Sequence, residues 1–473
     1  MAATSVSSNR SDPSDGATRA EWRALLSLGW PMMLTQLFIM ATGFLDTLMA
    51  GRYGTIDLAG VTLANNLMWP AFFLLTGMTM AITPVVAQLR GRGDLLEGGV
   101  MVRQALWLTA VAAACLVLVL RSGPALYARV AGLDSAAVAV ASEYLCAVSW
   151  GVPAVVLYVS LRQVCEGLGK TLPPMLIAGA VVPVNGVLNY AWINGLWGFP
   201  ELGGAGCGYA TAVVFWLELL LMLYFVRQPF FRELQTFVRF SAPDPVRLAE
   251  LLRVGVPIGL MVFMEVAVFS LLSVAVGRLG TTDLGAHSIV GNINWLTYVL
   301  PMGLGGAAGI RVGFFVGADQ PAAARASGRT AMWMALGYGI VVSALLVVGR
   351  GWLISIYTSD PSVTQLAMGL ILFVAVYQIL DDMNAVATGS LRGYKDTRMP
   401  MIYGLIGFWV VAAPLAVAFG EGLLGFPELG VYGYWLGLTV GICGVATANV
   451  LRLLRTGQRL AAAPVAHNHA AAA

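Results

Sequence analysis

Apolar residues fall in long runs along the chain, and polar residues gather in short stretches between them. A helix that crosses a bilayer needs about 20 mostly apolar residues. Twelve such runs can be drawn: 25–50, 58–88, 101–120, 137–160, 172–193, 206–226, 252–276, 284–316, 331–349, 363–391, 399–419 and 432–451. The short alternating segments of a membrane β-barrel are absent. The pattern predicts an all-α polytopic membrane protein of twelve transmembrane helices.

The pattern also repeats. Offset by 226 residues, Gly29-Trp-Pro31 falls on Gly255-Val-Pro257, and Gly51-Arg-Tyr-Gly-Thr-Ile-Asp-Leu58 falls on Gly277-Arg-Leu-Gly-Thr-Thr-Asp-Leu284. Asn66 and Trp69 then meet Asn292 and Trp295, and Thr171, Pro174 and Met175 meet Thr397, Pro400 and Met401. One residue further on, Gly198-Phe-Pro-Glu-Leu-Gly203 matches Gly425-Phe-Pro-Glu-Leu-Gly430. The expected organisation is therefore an N-lobe over 21–226 and a C-lobe over 251–456, joined by the basic linker 227–250. Because each lobe holds an even number of helices, both enter from the same side as a parallel repeat. Two similar lobes with a seam between them suit alternating access, which points to transport.

Composition narrows the class. Of 473 residues, 58% are apolar and 11% charged, against about 25% charged in soluble domains, which excludes a cytosolic enzyme and a disordered scaffold. The net charge is +3 and no long basic tract interleaves with aromatics, so nucleic acid is not an expected partner. The five cysteines, Cys115, Cys146, Cys165, Cys207 and Cys443, are scattered and suggest neither a disulfide framework nor a metal site. Residues 1–20 lack the features of a signal peptide; they and 457–473 are expected to be disordered tails, with no metal role for His467 and His469. Of the 27 basic residues, about 21 fall on the side of the termini and the even-to-odd loops, Arg162 and Arg392 among them, and five on the other, with Arg311 inside the eighth run. The positive-inside rule then places a multi-pass protein in the cytoplasmic (inner) membrane with both termini in the cytoplasm.

Acidic residues inside the runs need a reason, since a charge at mid-membrane costs at least a few kcal/mol. Glu265, Asp381 and Asp382 lie deep; Asp46 lies nearer the outer surface. Asn185 and Asn189, spaced i, i+4, share a helix face at the depth of Asp46, as does Thr211. One carboxylate with amide and hydroxyl oxygens suits a monovalent cation such as Na+, or the carboxylate takes a proton; alternatively, the amides and the hydroxyl only bond neighbouring helices. In the second lobe Tyr377 and Asp381 are again i, i+4, with Asp382 adjoining and Glu265 at similar depth. Carboxylates sharing one apolar cavity do not all ionise at ease, which is what a proton- or Na+-exchanging carrier requires. Glu143 and Glu218 read as structural or snorkelling residues, and His287 as an ordinary interfacial residue. No metal, nucleophile or phosphate-loop pattern nominates a catalytic site, so no enzyme and no cofactor are expected.

Gly43-Phe-Leu-Asp-Thr-Leu-Met-Ala-Gly51, Pro257 followed by Glu265, and Tyr377-Gln-Ile-Leu-Asp381 running into Gly389-Ser-Leu-Arg-Gly-Tyr-Lys-Asp-Thr397 resemble the multidrug and toxic compound extrusion (MATE) transporters, in particular their NorM-like branch. The resemblance spans about 25–454. It implies a V-shaped pair of six-helix lobes and efflux of cationic or amphiphilic small molecules, by a monomer, in exchange for Na+ or H+. The family's acidic positions match Asp46, Glu265 and Asp381, its amino-terminal cation site matches Asp46, Asn185, Asn189 and Thr211, and adjacent Asp381 and Asp382 match members in which such a pair contacts drug. Some relatives carry one Asn and one Asp at the two asparagine positions, so this chain has one carboxylate fewer there. A lipid or lipid-linked oligosaccharide flippase of the same superfamily would share the plan but carry basic residues in the central cavity. A membrane-embedded enzyme is the remaining alternative.

Overall fold

The computed structural model describes residues 13–129 and 134–462, and regular structure among them is helical. In chain order the helices are α1 (Pro13–Tyr53), α2 (Thr55–Thr79), α3 (Ile82–Arg92), α4 (Leu95–Tyr127), α5 (Ser135–Ser149), α6 (Val152–Gly167), α7 (Leu172–Asn194) and α8 (Ala205–Val226). After the short α9 (Pro229–Arg232) come α10 (Pro245–Gly277), α11 (Thr281–Gly317), α12 (Pro321–Ser355), α13 (Pro361–Gly393), α14 (Arg398–Gly404), a π-helical segment (Leu405–Ala412), α15 (Ala413–Gly420), a 3₁₀ turn (Leu423–Gly425) and α16 (Val431–Ala462). Eleven helices, counting α2–α3 and α14–α15 as single spans, are long and apolar enough to cross a membrane, and the bent pair α5–α6 completes twelve.

Aspartates start several helices. Asp94, Asp134, Asp244 and Asp360 each turn a carboxylate onto a backbone N–H of the first turn, satisfying donors that the helix itself leaves open. Two predicted runs are interrupted. The run 58–88 is two helices divided at Met80 and Ala81, and 137–160 bends by 55° between α5 and α6, where Trp150 and Gly151 precede Pro153. The ends of the chain differ from expectation too. Residues 13–20 are helical and belong to α1, and α16 runs through 457–462; the remaining tail residues, His467 and His469 included, lie outside the described residues.

The repeat is legible in the backbone. Gly195, Gly198 and Gly203 have φ of 66°, 86° and 55°, and their counterparts Gly422, Gly425 and Gly430 have 67°, 82° and 56°. Such left-handed angles suit glycine. Leu202 donates to the carbonyl of Trp192 as Leu429 does to that of Phe419, both at 3.0 Å. A large apolar core fills the N-lobe around Tyr144, Leu116 and Leu161, and the C-lobe packs around Tyr377, Tyr434 and Trp435.

A third core joins the lobes, with Leu25 of α1 set among Leu304, Ala307, Ala331 and Leu391. Glu21 near the start of α1 and Gly457 near the end of α16 both meet the first turns of α12, so the two ends of the described chain share one face of the bundle, here termed the terminal face. The lobes meet in the half nearest that face. Gly255 of α10 lies against the carbonyl of Met78 and Gly317 of α11 against that of Gln88, with no space for a Cβ at either. Gln88 Nε2 donates to the Gly393 carbonyl at 2.8 Å. Glu21 pairs with Arg311 and accepts from Ser327 Oγ at 2.7 Å. The linker is strapped to this half: Phe231 and Leu234 are buried, Arg103 and Gln104 hold the backbone of Gln235 and Ala242, and Arg247 reaches Glu97 at 3.0 Å. The two lobes thus form a V joined at its terminal end.

Because Glu21 bonds two C-lobe side chains from an N-lobe helix, Glu21→Ala should weaken that join by on the order of 2 kcal/mol, the scale of hydrogen bonds to charged groups. Alkylation of a cysteine placed at Ala307, buried in the core that joins the lobes, in a variant lacking the five native cysteines, should accelerate by about tenfold or more if the join opens by that amount; an unchanged rate would exclude a latching role.

Candidate ion and substrate sites

In the N-lobe, four helices deliver one polar cluster. Asp46 of α1 is 4% exposed, and Asn185 and Asn189 of α7 are 0%. Asn189 Nδ2 donates to Asp46 Oδ1 at 2.6 Å and to Asn185 Oδ1 at 3.0 Å, while Thr211 Oγ1 of α8 donates to Asp46 Oδ2 at 3.0 Å. The i, i+4 spacing that placed the asparagines on one face thus brings both onto the same acid. Asn185 Nδ2 and Asn189 Oδ1 remain without partners. Two residues of this site escaped the sequence reading. Cys207, one turn before Thr211, lies 3.6 Å from the Asp46 carbonyl, and buried Tyr144 of α5 sits within electrostatic reach of Asp46 beside Thr211. The only available signal for Tyr144 was a lone tyrosine in an apolar run.

The C-lobe acids are arranged differently. Asp382 is fully buried within the lobe, where Gln378 Nε2 donates to its Oδ1 at 2.6 Å and its Oδ2, close to Gly339 of α12, has no partner. Gln378 in turn accepts from Thr297 of α11 at 3.0 Å. Asp381 looks elsewhere. It and half-buried Glu265 of α10 act on each other electrostatically, with Tyr298 of α11 and Tyr377 in reach of both. Adjacent positions about 100° apart on a helix therefore give Asp381 and Asp382 different neighbours, although the two acids still act on each other electrostatically. Tyr377 is wholly buried, stacks at a tilt on Trp435 at 6.3 Å between ring centroids, and leaves its hydroxyl without a partner. Aromatic side chains occupy repeat-related places on two helices that bridge the lobes, Trp69 and Phe72 on α2 and Trp295 and Tyr298 on α11, with Phe73 stacked beside Trp69.

Among the described residues, none of Asp46, Glu265, Asp381 and Asp382 takes part in an ion pair. Arg392 of α13 acts on Glu265 at longer range without pairing with it. Several basic and polar residues depart from the sequence reading. Arg162, counted with the loops, is buried in α6. Of the two acids read as structural or snorkelling, Glu218 is 7% exposed in α8 and Glu143 is exposed. Arg311 sits at the terminal end, paired with Glu21 and stacked over Phe315. His287 is buried, not interfacial: its Nδ1 accepts from Trp435 Nε1 at 3.1 Å, which leaves Nε2 to carry the proton toward Ser273 at 2.9 Å.

The contrast between Gln378 and Tyr377 can be measured. Removing one partner of a buried acceptor costs about 1–3 kcal/mol, whereas removing an unpartnered polar group costs nothing comparable. Gln378→Leu should lower the thermal midpoint of the purified protein, and Tyr377→Phe should match or exceed wild type; the reverse order would contradict the hydrogen bonding described.

A family model described as MatE matches residues 31–191 and 257–418, one segment in each lobe. The multidrug resistance protein PmpM of Pseudomonas aeruginosa is 38% identical over 448 residues, which cover 93% of this chain and 93% of PmpM. The eukaryotic MATE transporter AtDTX14 superposes with a TM-score of 0.84 at 19% identity, over 94% of this chain and 99% of its own. The Vibrio cholerae MATE transporter VcmN in its bent form gives 0.82 at 17% identity, over 94% and 99%. These last two likenesses establish the V-shaped two-lobe fold. With both halves of the duplication matched by one family model and a relative aligned over nearly its whole length, the chain belongs to the MatE (MATE) family and is a transporter, not an enzyme.

Proposed function

We propose that the protein is a secondary active multidrug efflux transporter of the cytoplasmic membrane that exports cationic or amphiphilic compounds in exchange for H+. One observation carries the reading: carboxylates withdrawn from water, at Asp46 and at the Glu265–Asp381 pair, with no lysine or arginine bonded to them. A charge in such surroundings is expensive, so each acid gains from a proton or from a bound cation, and the two compete for it. The aromatic faces of Trp69, Phe72, Trp295 and Tyr298 supply apolar and cation–π contact for a lipophilic cation. PmpM, a multidrug resistance protein by name, is consistent with such cargo.

With the lobes joined at the terminal face, which the distribution of basic residues assigns to the cytoplasm, the seam opens outward. There H+ arriving down its gradient neutralises the acids and weakens the hold on the drug. The return of the loaded carrier then delivers the proton inside. If net charge moves inward, each elementary charge contributes about 2.3 kcal/mol per 100 mV. A second reading, Na+ in place of H+ in the N-lobe, is favoured by the unpartnered Asn189 Oδ1 beside Asp46. An amide oxygen and a carboxylate are ligands that a hard cation accepts. Lipid flipping is less suited to this site, because the acids outnumber the single nearby base, Arg392, and anionic headgroups would be repelled.

Proteoliposomes loaded with ethidium and exposed to separately imposed pH and Na+ gradients test both readings. Under an imposed pH gradient wild type should expel ethidium, whereas Asp46→Asn and Glu265→Gln should insert normally and lose gradient-driven efflux. A response to Na+ alone selects the second reading, and wild-type rates in both variants overturn the assignment.

A further inference from the structure

Between the Asp46 cluster and the terminal face lies a second set of ionisable side chains that the exchange cycle leaves unused. Tyr158, Arg162 and Glu166 follow one another at i, i+4 and i+8 on α6, and Glu218 faces them from α8; they are 2%, 8%, 8% and 7% exposed. Arg162 and Glu166 pair at 3.4 Å, and Glu218 acts electrostatically on Arg162 and on Tyr158. One guanidinium between two carboxylates leaves a negative charge without compensation, and such a charge is costly in the interior of a lobe. A single proton removes it.

The surroundings leave a place for that proton. The Tyr158 hydroxyl faces Glu218, Arg162 and Glu166 and has no hydrogen-bond partner, and Arg162 Nε makes no aligned hydrogen bond either. Neighbouring polar groups are already engaged: Thr109 with Ser160 at 2.7 Å, and Thr83 with Gln163 at 2.6 Å. Cys165, the one further titratable group in contact, lies against Met222. Nor does the fold demand a charge at the Tyr158 and Arg162 positions, although Glu166 falls on charged Arg392 in the second repeat. In the second repeat Tyr158 and Arg162 correspond to Asn384 and Thr388, which are neutral and hydrogen-bonded, Asn384 to Asn449 at 2.9 Å and Thr388 to the Asn384 carbonyl at 2.8 Å.

Position ties this group to Asp46. Glu218 follows Thr211 by seven residues, on the same face of α8 and about 10 Å nearer the terminal face, while Glu166 occupies the last turn of α6. We propose that Glu218, with Tyr158, Arg162 and Glu166, is a second protonation site of the N-lobe that takes up the proton released by Asp46 on its way to the terminal side. The inference rests on the H+ reading of the Asp46 site. In the step, the O–H bond of the Asp46 acid breaks and an O–H bond forms on Glu218; the negative charge moves back to Asp46, and nothing is oxidised or reduced.

pH-difference infrared spectroscopy on the full-length protein in lipid vesicles, combined with ethidium efflux, tests it. Wild type should show protonated-carboxyl bands of which one disappears in Glu218→Gln and another in Asp46→Asn. Tyr158→Phe, which removes only the unpartnered hydroxyl, should shift the band lost in Glu218→Gln. Efflux driven by a pH gradient should fall by about a hundredfold in Glu218→Gln, the lower end of the range for losing a proton-transfer group. Glu218→Asp should restore it, and ethidium affinity should be unchanged. A Glu218→Gln spectrum that keeps every band, or efflux equal to wild type, overturns the site. A band lost in Glu218→Gln with none lost in Asp46→Asn overturns the transfer. It also withdraws the H+ reading at Asp46, so the two failures are told apart.

Discussion

A carboxylate removed from water without a base beside it is the constraint around which this transporter is arranged. Hydrogen bonds from Asn189 and Thr211 reduce the cost at Asp46, and one from Gln378 reduces it at Asp382, but neutral donors do not cancel a charge. A salt bridge would lower the energy and also fix the state, because a permanently paired acid has little to gain from a proton or a cation. Arg247, Lys395, Arg452 and Arg311 form ion pairs toward the terminal half, where they hold helices and lobes in place, and Arg162 pairs with Glu166 inside the N-lobe. None of these pairs includes Asp46, Glu265, Asp381 or Asp382.

The architecture was largely legible in the sequence because lipid imposes one rule on every span. With no water to satisfy backbone groups, an apolar run of sufficient length is helical, and the 226-residue offset needs only identities such as those between Gly51–Leu58 and Gly277–Leu284. Breaks within runs were not legible. Pro84, which leaves the Met80 carbonyl without a donor, and Pro153 are the signals there, and a proline alone does not distinguish a broken helix from one that tolerates it. Helix ends beyond the bilayer were missed for a related reason: nothing apolar marks 13–20 or 457–462, whose order comes in part from contacts such as that of Gly457 with Arg325.

For the sites, spacing within one helix translated well and relations between helices did not. Asn185 and Asn189 converge on Asp46 as their period requires, and Asp381 and Asp382 diverge as theirs requires. That Tyr144 completes the first cluster, or that Arg392 stands near Glu265, depends on which helix faces which, and a single sequence is silent on that. Arg162 shows the opposite error. It lies near enough to a run's end to read as a loop charge, yet α6 turns it inward, within electrostatic reach of Glu218 on α8.

Helix α1 bears Glu21, bonded to the C-lobe, and Asp46, the acid of the N-lobe, about 37 Å apart along one rod. Pro31 lies between them, where it leaves a backbone carbonyl without its usual donor and makes the rod easier to flex. One continuous helix thus carries both the polar cluster of the N-lobe and a tie to the C-lobe, with a proline hinge between them.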